Sequence, residues 1–225
     1  MSFIFKMIPC IERKRPYLIP LPAKFVSFAR EKSVRKVLEV GCGYGRACFF
    51  LRENQFSVTG VDIDRVQIRW ALEETKSHGI NGEMGFLVND ARHLCFRDSS
   101  FDAITMLALL TLVPKSNRSK IMSEVWRVLK PSGYAFIEEF GRTWKNPVYA
   151  KRYRDDSKVT GEMGTITVID ESGKILHFGH HFTRGELLAL LKRFNILSLE
   201  QDTFTSYYHR NWVNGYTILA QKIVK

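Results

Sequence analysis

The sequence predicts an α/β fold, a doubly wound and mostly parallel sheet with helices on both faces, and three observations carry that reading. Apolar runs of strand length alternate with amphipathic helical stretches over residues 37–140. A glycine turn, GCGYG at 41–45, joins the first run to a helix. The second run ends in an acidic residue just before a helix-start signal, which brings functional groups to the carboxyl ends of the strands, where ligands of such sheets sit.

Each element follows from local pattern. Val37–Val40 is a buried-strand pattern, and Ala47–Leu51 opens a helix that ends near Asn54. Ser57–Val61 is the second strand, closing at Asp62, because Asp64 and Gln67 have the spacing of an N-cap and its reciprocal partner; the helix after them stops at Gly79. MGFLV at 84–88 and FDAITML at 101–107 are the third and fourth strands, with turn-rich NDARHLCFRDSS between them. The helix SKIMSEVWRVL ends at KPSG, where Pro131 and Gly133 are a stop signal, and YAFIEEF at 134–140 is the fifth strand. From Gly141 the pattern changes. GRTWKNPVYAKRYRDDSKVTGE is polar and aromatic, TITVID and KILHF flank ESG as a hairpin, Thr183 with Glu186 caps a helix ending near Phe194, and ILSLEQ and YTILAQKI are the last strands.

At 225 residues and 45% hydrophobic the chain suffices for one well-packed domain and is short for two. No apolar run reaches the roughly 18 residues a bilayer span needs, so a soluble, cytoplasmic protein is expected. Cys10, Cys42, Cys48 and Cys95 form no CxxC pair and have no histidine at ligand spacing, which indicates neither a metal site nor a disulfide framework. The net charge is +11, and residues 1–36 hold nine basic side chains against two acidic ones. That basic segment suits nucleic-acid phosphates, an anionic substrate or plain solvation.

The glycines decide between two ligands. A dinucleotide turn needs G-x-G-x-x-G, but here Gly41, Gly43 and Gly45 fall at alternate positions and Arg46 follows. Glu39, two residues ahead, is misplaced beside a pyrophosphate and well placed beside a cation. A sulfonium amino acid fits better than a dinucleotide.

With these residues the segment 37–140 resembles the class I S-adenosylmethionine-dependent methyltransferases, within the ubiquinone-biosynthesis-like subgroup. The acidic-x-G-x-G-x-G motif matches Glu39, Gly41, Gly43 and Gly45, while DSSFDAITM and EVWRVLKPSGYAFIEE look like the fourth-strand and fifth-strand motifs. The resemblance implies a Rossmann-like, seven-stranded sheet with a small capping region, and S-adenosyl-L-methionine as cofactor. It implies Asp62 on the ribose hydroxyls with Ile63 beside it, Asp90 facing the adenine amino group with Ala91 beside it, and Leu107 at the fourth strand's end. Cys42 and Tyr44 are expected to contribute backbone amides and shape. The layout implied is a basic cap (1–36), a cofactor core (37–140), a substrate or lid insertion (141–182) and a carboxyl-terminal helix and strands (183–225).

The acceptor is less legible. MLALLTLVP lacks the Asn/Asp-Pro-Pro-aromatic tetrapeptide of base-amine methylation and the cysteine of cytosine-carbon methylation, and Leu109 and Glu138-Glu139 stand where catechol-type enzymes carry metal ligands. A small-molecule acceptor is expected. The alternatives are RNA, suggested by the basic segment and by a likeness of HHFTRGELLALLKRF to tRNA wobble-uridine methyltransferases, and a non-catalytic module acting on a partner. His177, His180, His181 and Tyr208 are candidate bases, against a polar loop. Trp144, Tyr149, Tyr153, Tyr207, Tyr208 and Trp212 form either an aromatic acceptor wall or the small core of the cap.

Overall fold

The computed structural model describes residues 17–18, 20–80, 82–170, 172–206 and 212–223. Five parallel strands form the centre: β2 (Lys36–Val40), β3 (Ser57–Asp62), β4 (Met84–Val88), β5 (Phe101–Leu107) and β6 (Leu129–Phe140). They lie in the order β4-β3-β2-β5-β6. Antiparallel β10 (Trp212–Lys222) and β9 (Phe194–Ser206) extend the β6 side. This is the expected seven-stranded, mostly parallel sheet. A two-residue strand, β1 (Tyr17–Leu18), adds an eighth at the β9 edge.

Alternation along the strands gives the sheet two apolar faces. One carries Val37, Val58, Ala103 and Phe136 under α1 (Ala23–Glu31), α2 (Arg46–Glu53) and α3 (Arg65–Ser77). The other carries Leu38, Val40, Ile104 and Met106 under α5 (Lys115–Val128) and α7 (Arg184–Leu190). The chain runs β2-β3-β4 to one side and then crosses over to β5. The carboxyl ends of β2 and β5 therefore diverge, which opens a crevice at the glycine turn.

Capping followed the sequence closely. Asp64 accepts from the backbone N–H of Val66 (2.8 Å) and Gln67 (3.2 Å), and the Gln67 amide donates back to Asp64 Oδ2 at 2.8 Å. Thr183 and Glu186 form a complete capping box.

Several bounds differ from expectation. The stretch 141–162 contains a helix, α6 (Pro147–Thr160), started by Asn146 as N-cap with Pro147 at the first turn and closed by Gly161 in the left-handed conformation. Those start and stop signals are standard, but an exposed polar face and only two buried aromatics, Tyr149 and Tyr153, obscured its apolar stripe. A short helix α4 (Leu109–Leu112) follows β5, and α5 starts four residues earlier than the apolar pattern, because Pro114 caps it without a side-chain bond. Strand β6 runs back through Pro131 and Gly133 to Leu129, where the chain enters at the sheet's amino edge with a register shift against β5. The hairpin β7 (Thr165–Ile169) and β8 (Ile175–His180) is a separate two-stranded sheet.

Candidate active site

The glycine turn is built by three positive φ angles, +78° at Gly41, +55° at Gly43 and +83° at Gly45, a region that L side chains avoid. The N–H groups of Gly41 and Cys42 both donate to the Val61 carbonyl, at 2.8 and 3.0 Å. The Cys42 N–H, expected to contribute to the site as a backbone amide, is used in joining the turn to β3. Gly43 N–H donates to Asp62 Oδ2 at 2.8 Å, and Asp64 N–H donates to Oδ1 at 3.0 Å. Asp62 is thereby fixed at the end of β3, with one further lone pair on each oxygen for a ligand.

A cleft of about 280 Å³ opens beside this corner. Among the expected residues, Gly41, Asp62, Ile63, Asp90 and Ala91 line it; Glu39, Cys42, Gly43, Gly45 and Leu107 do not. The opposite wall is Leu109 and Leu112 of α4 and Asn117 of α5, none of which was expected to touch the cofactor. Leu109 also explains Gly41, since a Cβ there would stand 2.8 Å from its Cδ1. Ile63 and Leu112 are large apolar side chains left 66% and 54% exposed. One side of the cleft is thus carboxylate and amide, the other apolar.

Asp90 is already engaged. Its Oδ1 accepts from Arg92 N–H (2.8 Å) and Nε (3.0 Å), and its Oδ2 from Nε (2.9 Å) and Nη2 (2.6 Å). The Arg92 guanidinium holds the carboxyl below the usual carboxylate range. Glu39 is 1% exposed beneath the turn and accepts the Thr105 hydroxyl.

Glu138 and Glu139 point to opposite faces. Glu139 accepts from the backbone N–H of Leu110 (2.7 Å) and Thr111 (2.9 Å), which caps α4, and burial pushes it up to about 7. Glu138 turns to the α1 face, where burial pushes it up to about 8.

The candidate bases separate. His177 is exposed on β8, whereas His180 and His181 are buried rather than on a polar loop. His180 Nδ1 meets the Thr165 hydroxyl at 2.8 Å, between Glu162 and Glu186. His181 Nδ1 meets Tyr153 Oη at 2.7 Å and stacks on Phe140, with ring centroids 5.6 Å apart. Burial pushes the two down to about 4 and about 3, so neither is a strong base at neutral pH. Tyr149 and Tyr153 are fully buried in the core and Trp144 packs on Tyr153. Tyr207 and Tyr208 lie outside the described residues. So do Lys6, Arg13, Lys14 and Arg15 of the basic segment; within it, Lys24 is paired to Glu200 (2.7 Å) and Asp202 (3.1 Å).

A family model described as a methyltransferase domain matches residues 37–133. The crystal structure of a SAM-dependent methyltransferase from Methanosarcina mazei is 39% identical, covering 84% of this chain and 93% of that one, with a TM-score of 0.81. Methyltransferase GfsG of Streptomyces halstedii is 36% identical over 46% of this chain, and the ubiquinone/menaquinone biosynthesis C-methyltransferase UbiE of Hydrogenovibrio crunogenus is 30% identical over 49%. The chain spans only 37% and 43% of those two relatives. With this fold, the glycine turn and that match across nearly a whole relative, the chain belongs to the class I S-adenosylmethionine-dependent methyltransferases.

Proposed function

We propose that this chain transfers the methyl group of S-adenosylmethionine to a small-molecule acceptor. The observation that carries it is the corner where Gly43 N–H holds Asp62 at 2.8 Å in the mouth of the cleft. The residues present fit the cofactor. Asp62 keeps acceptor capacity for two ribose hydroxyls, and the exposed Ile63 and Leu112 offer apolar surface to both sides of a planar base. Asp90 and Ala91 stand at the next strand end, where the adenine edge would fall.

When bound, the cofactor supplies an electrophilic methyl on a sulfonium, displaced in line. Much of the acceleration then comes from holding donor and nucleophile in near-attack geometry. In this chain the turn sets the donor's height, and residues 141–182 close over the acceptor, with Tyr149, Tyr153 and His181 as the buried support of that cover. The name of the quinone C-methyltransferase relative supports a small acceptor. Calorimetry with S-adenosylhomocysteine tests the reading. Micromolar binding is expected, and no heat at high micromolar ligand would remove it.

A further inference from the structure

Glu138 has no part in that reading, yet its position is unusual. Its register partners are Leu107 of β5 and Thr217 of β10, so it stands at the carboxyl rim of the sheet, one strand beyond the residue expected to touch the cofactor. The side chain is 3% exposed. One oxygen, Oε1, accepts the Thr217 hydroxyl at 3.2 Å; the other, Oε2, is buried with no hydrogen-bond partner among the described residues. Native structures rarely leave a buried carboxylate oxygen without a donor, and such an atom calls for a ligand proton.

The charges around Glu138 are mixed, with acids in excess. Burial is the main cause of Glu138's raised proton affinity; among the charges around it Arg46 of α2 acts most strongly and lowers it, while Asp202 of β9 and Glu39 of β2 raise it. Lys24 of α1 is already held by Glu200 and Asp202. A chain of net charge +11 thus gathers three carboxylates, the buried Glu39 and Glu138 and the partly exposed Asp202, around the carboxyl end of β6. A hydroxyl or carbon acceptor needs no such cluster of carboxylates, whereas an ammonium balances its excess negative charge.

We propose, on the methyltransferase reading, that the acceptor is an amine bound as its ammonium against Glu138, and that the Glu138 carboxylate takes the proton. An N–H bond breaks and its proton passes to Oε2, which frees the nitrogen lone pair. That pair forms the N–CH3 bond as the S–CH3 bond breaks, its electrons remaining on sulfur. The products are S-adenosylhomocysteine and the methylated ammonium, and Glu138 returns its proton to solvent. A carboxyl held near 8 is matched to this exchange, because its proton affinity approaches that of an amine.

The test compares S-adenosylhomocysteine with sinefungin, the analogue that carries an amine at the position of the transferred methyl. Calorimetry on the wild type is expected to show sinefungin bound at least about tenfold tighter, a gap of about 1.4 kcal/mol. Glu138→Gln is expected to keep its S-adenosylhomocysteine affinity within about twofold and to lose the sinefungin preference. A preference unchanged in that variant overturns the proposal. A second measurement on the wild type follows labelled methyl transfer to amines and alcohols of matched skeleton. Turnover of amines, rising with pH through a midpoint near 8, supports the proposal; turnover confined to alcohols overturns it. Absence of S-adenosylhomocysteine binding in the wild type would instead overturn the methyltransferase reading, and this proposal with it.

Discussion

Gly43 donates its backbone N–H to Asp62 Oδ2 at 2.8 Å, so the turn after β2 and the end of β3 are a single structural unit. Asp62→Ala removes both the turn's acceptor and the carboxylate in the cleft. The S-adenosylhomocysteine affinity is expected to fall about tenfold or more, as for hydrogen bonds to a charged group worth about 1.5–3 kcal/mol. Calorimetry measures it, with circular dichroism to verify folding; wild-type affinity in a folded variant would contradict the assignment.

Gly45 is the tightest position of the turn. At φ +83° an added Cβ would stand 2.7 Å from Phe86 Cζ and 3.1 Å from Phe49 Cε2. Gly45→Ala is expected to destabilise the chain by about 1–3 kcal/mol through backbone strain and crowding. Urea unfolding reads this directly, and a midpoint shift with an unchanged slope is the expected form.

Arg92 competes for the carboxylate that adenine would use. Both oxygens of Asp90 are occupied by one guanidinium, and the Arg92 side chain is 43% exposed. An exposed ion pair of this kind holds Asp90 only weakly, so Arg92→Ala is expected to tighten S-adenosylhomocysteine binding by about threefold. A weaker complex would mean that Arg92 itself contacts the ligand.

The segment between α6 and β7 is fastened to the core by Arg118 of α5, whose guanidinium donates to both oxygens of Glu162 at 2.6 and 3.0 Å. Both side chains are largely buried, and breaking such a pair costs about 3–5 kcal/mol. In Glu162→Gln, hydrogen exchange is expected to accelerate in β7 and β8 well before β2 and β5, because Glu162 also accepts the Thr165 hydroxyl at 2.8 Å. Uniform acceleration would argue against a local fastening.

Stability should depend on pH through the two buried histidines. Burial holds His180 near about 4 and His181 near about 3, below the ordinary 6.5. As pH falls below 6.5 the unfolded chain takes up protons that the folded chain refuses, so their contribution is lost progressively toward pH 4 and 3. Glu138 and Glu139 act oppositely: raised to about 8 and about 7, they contribute below pH 4.5 and lose that contribution as pH rises. Denaturation across pH 6 to 4 should therefore show His181→Phe losing stability less steeply than wild type, by about 1.4 kcal/mol per pH unit. Equal slopes would exclude His181 as a buried neutral group.

The legible parts were those governed by near neighbours in sequence. Asp64 with Gln67 and Thr183 with Glu186 announce two helix starts, and the alternate glycines announce a turn whose φ angles no other residue adopts comfortably. Helix α6 carried its own Asn-Pro start and Gly stop and was still missed, because Tyr149 and Tyr153 face a core made by distant segments. His180 and His181 read as a polar loop for the same reason.

By itself the sequence determined the sheet, the glycine turn and the carboxylates at the next two strand ends, since each depends on short-range periodicity and backbone conformation. Only the tertiary structure decided how those carboxylates are used. It spent Cys42's amide on Val61, laid Arg92 over Asp90, and buried Glu138 between β5 and β10 with one oxygen unmet among the described residues. Hydrogen-bond satisfaction and desolvation are set by groups from several strands at once, and no single stretch of sequence contains them.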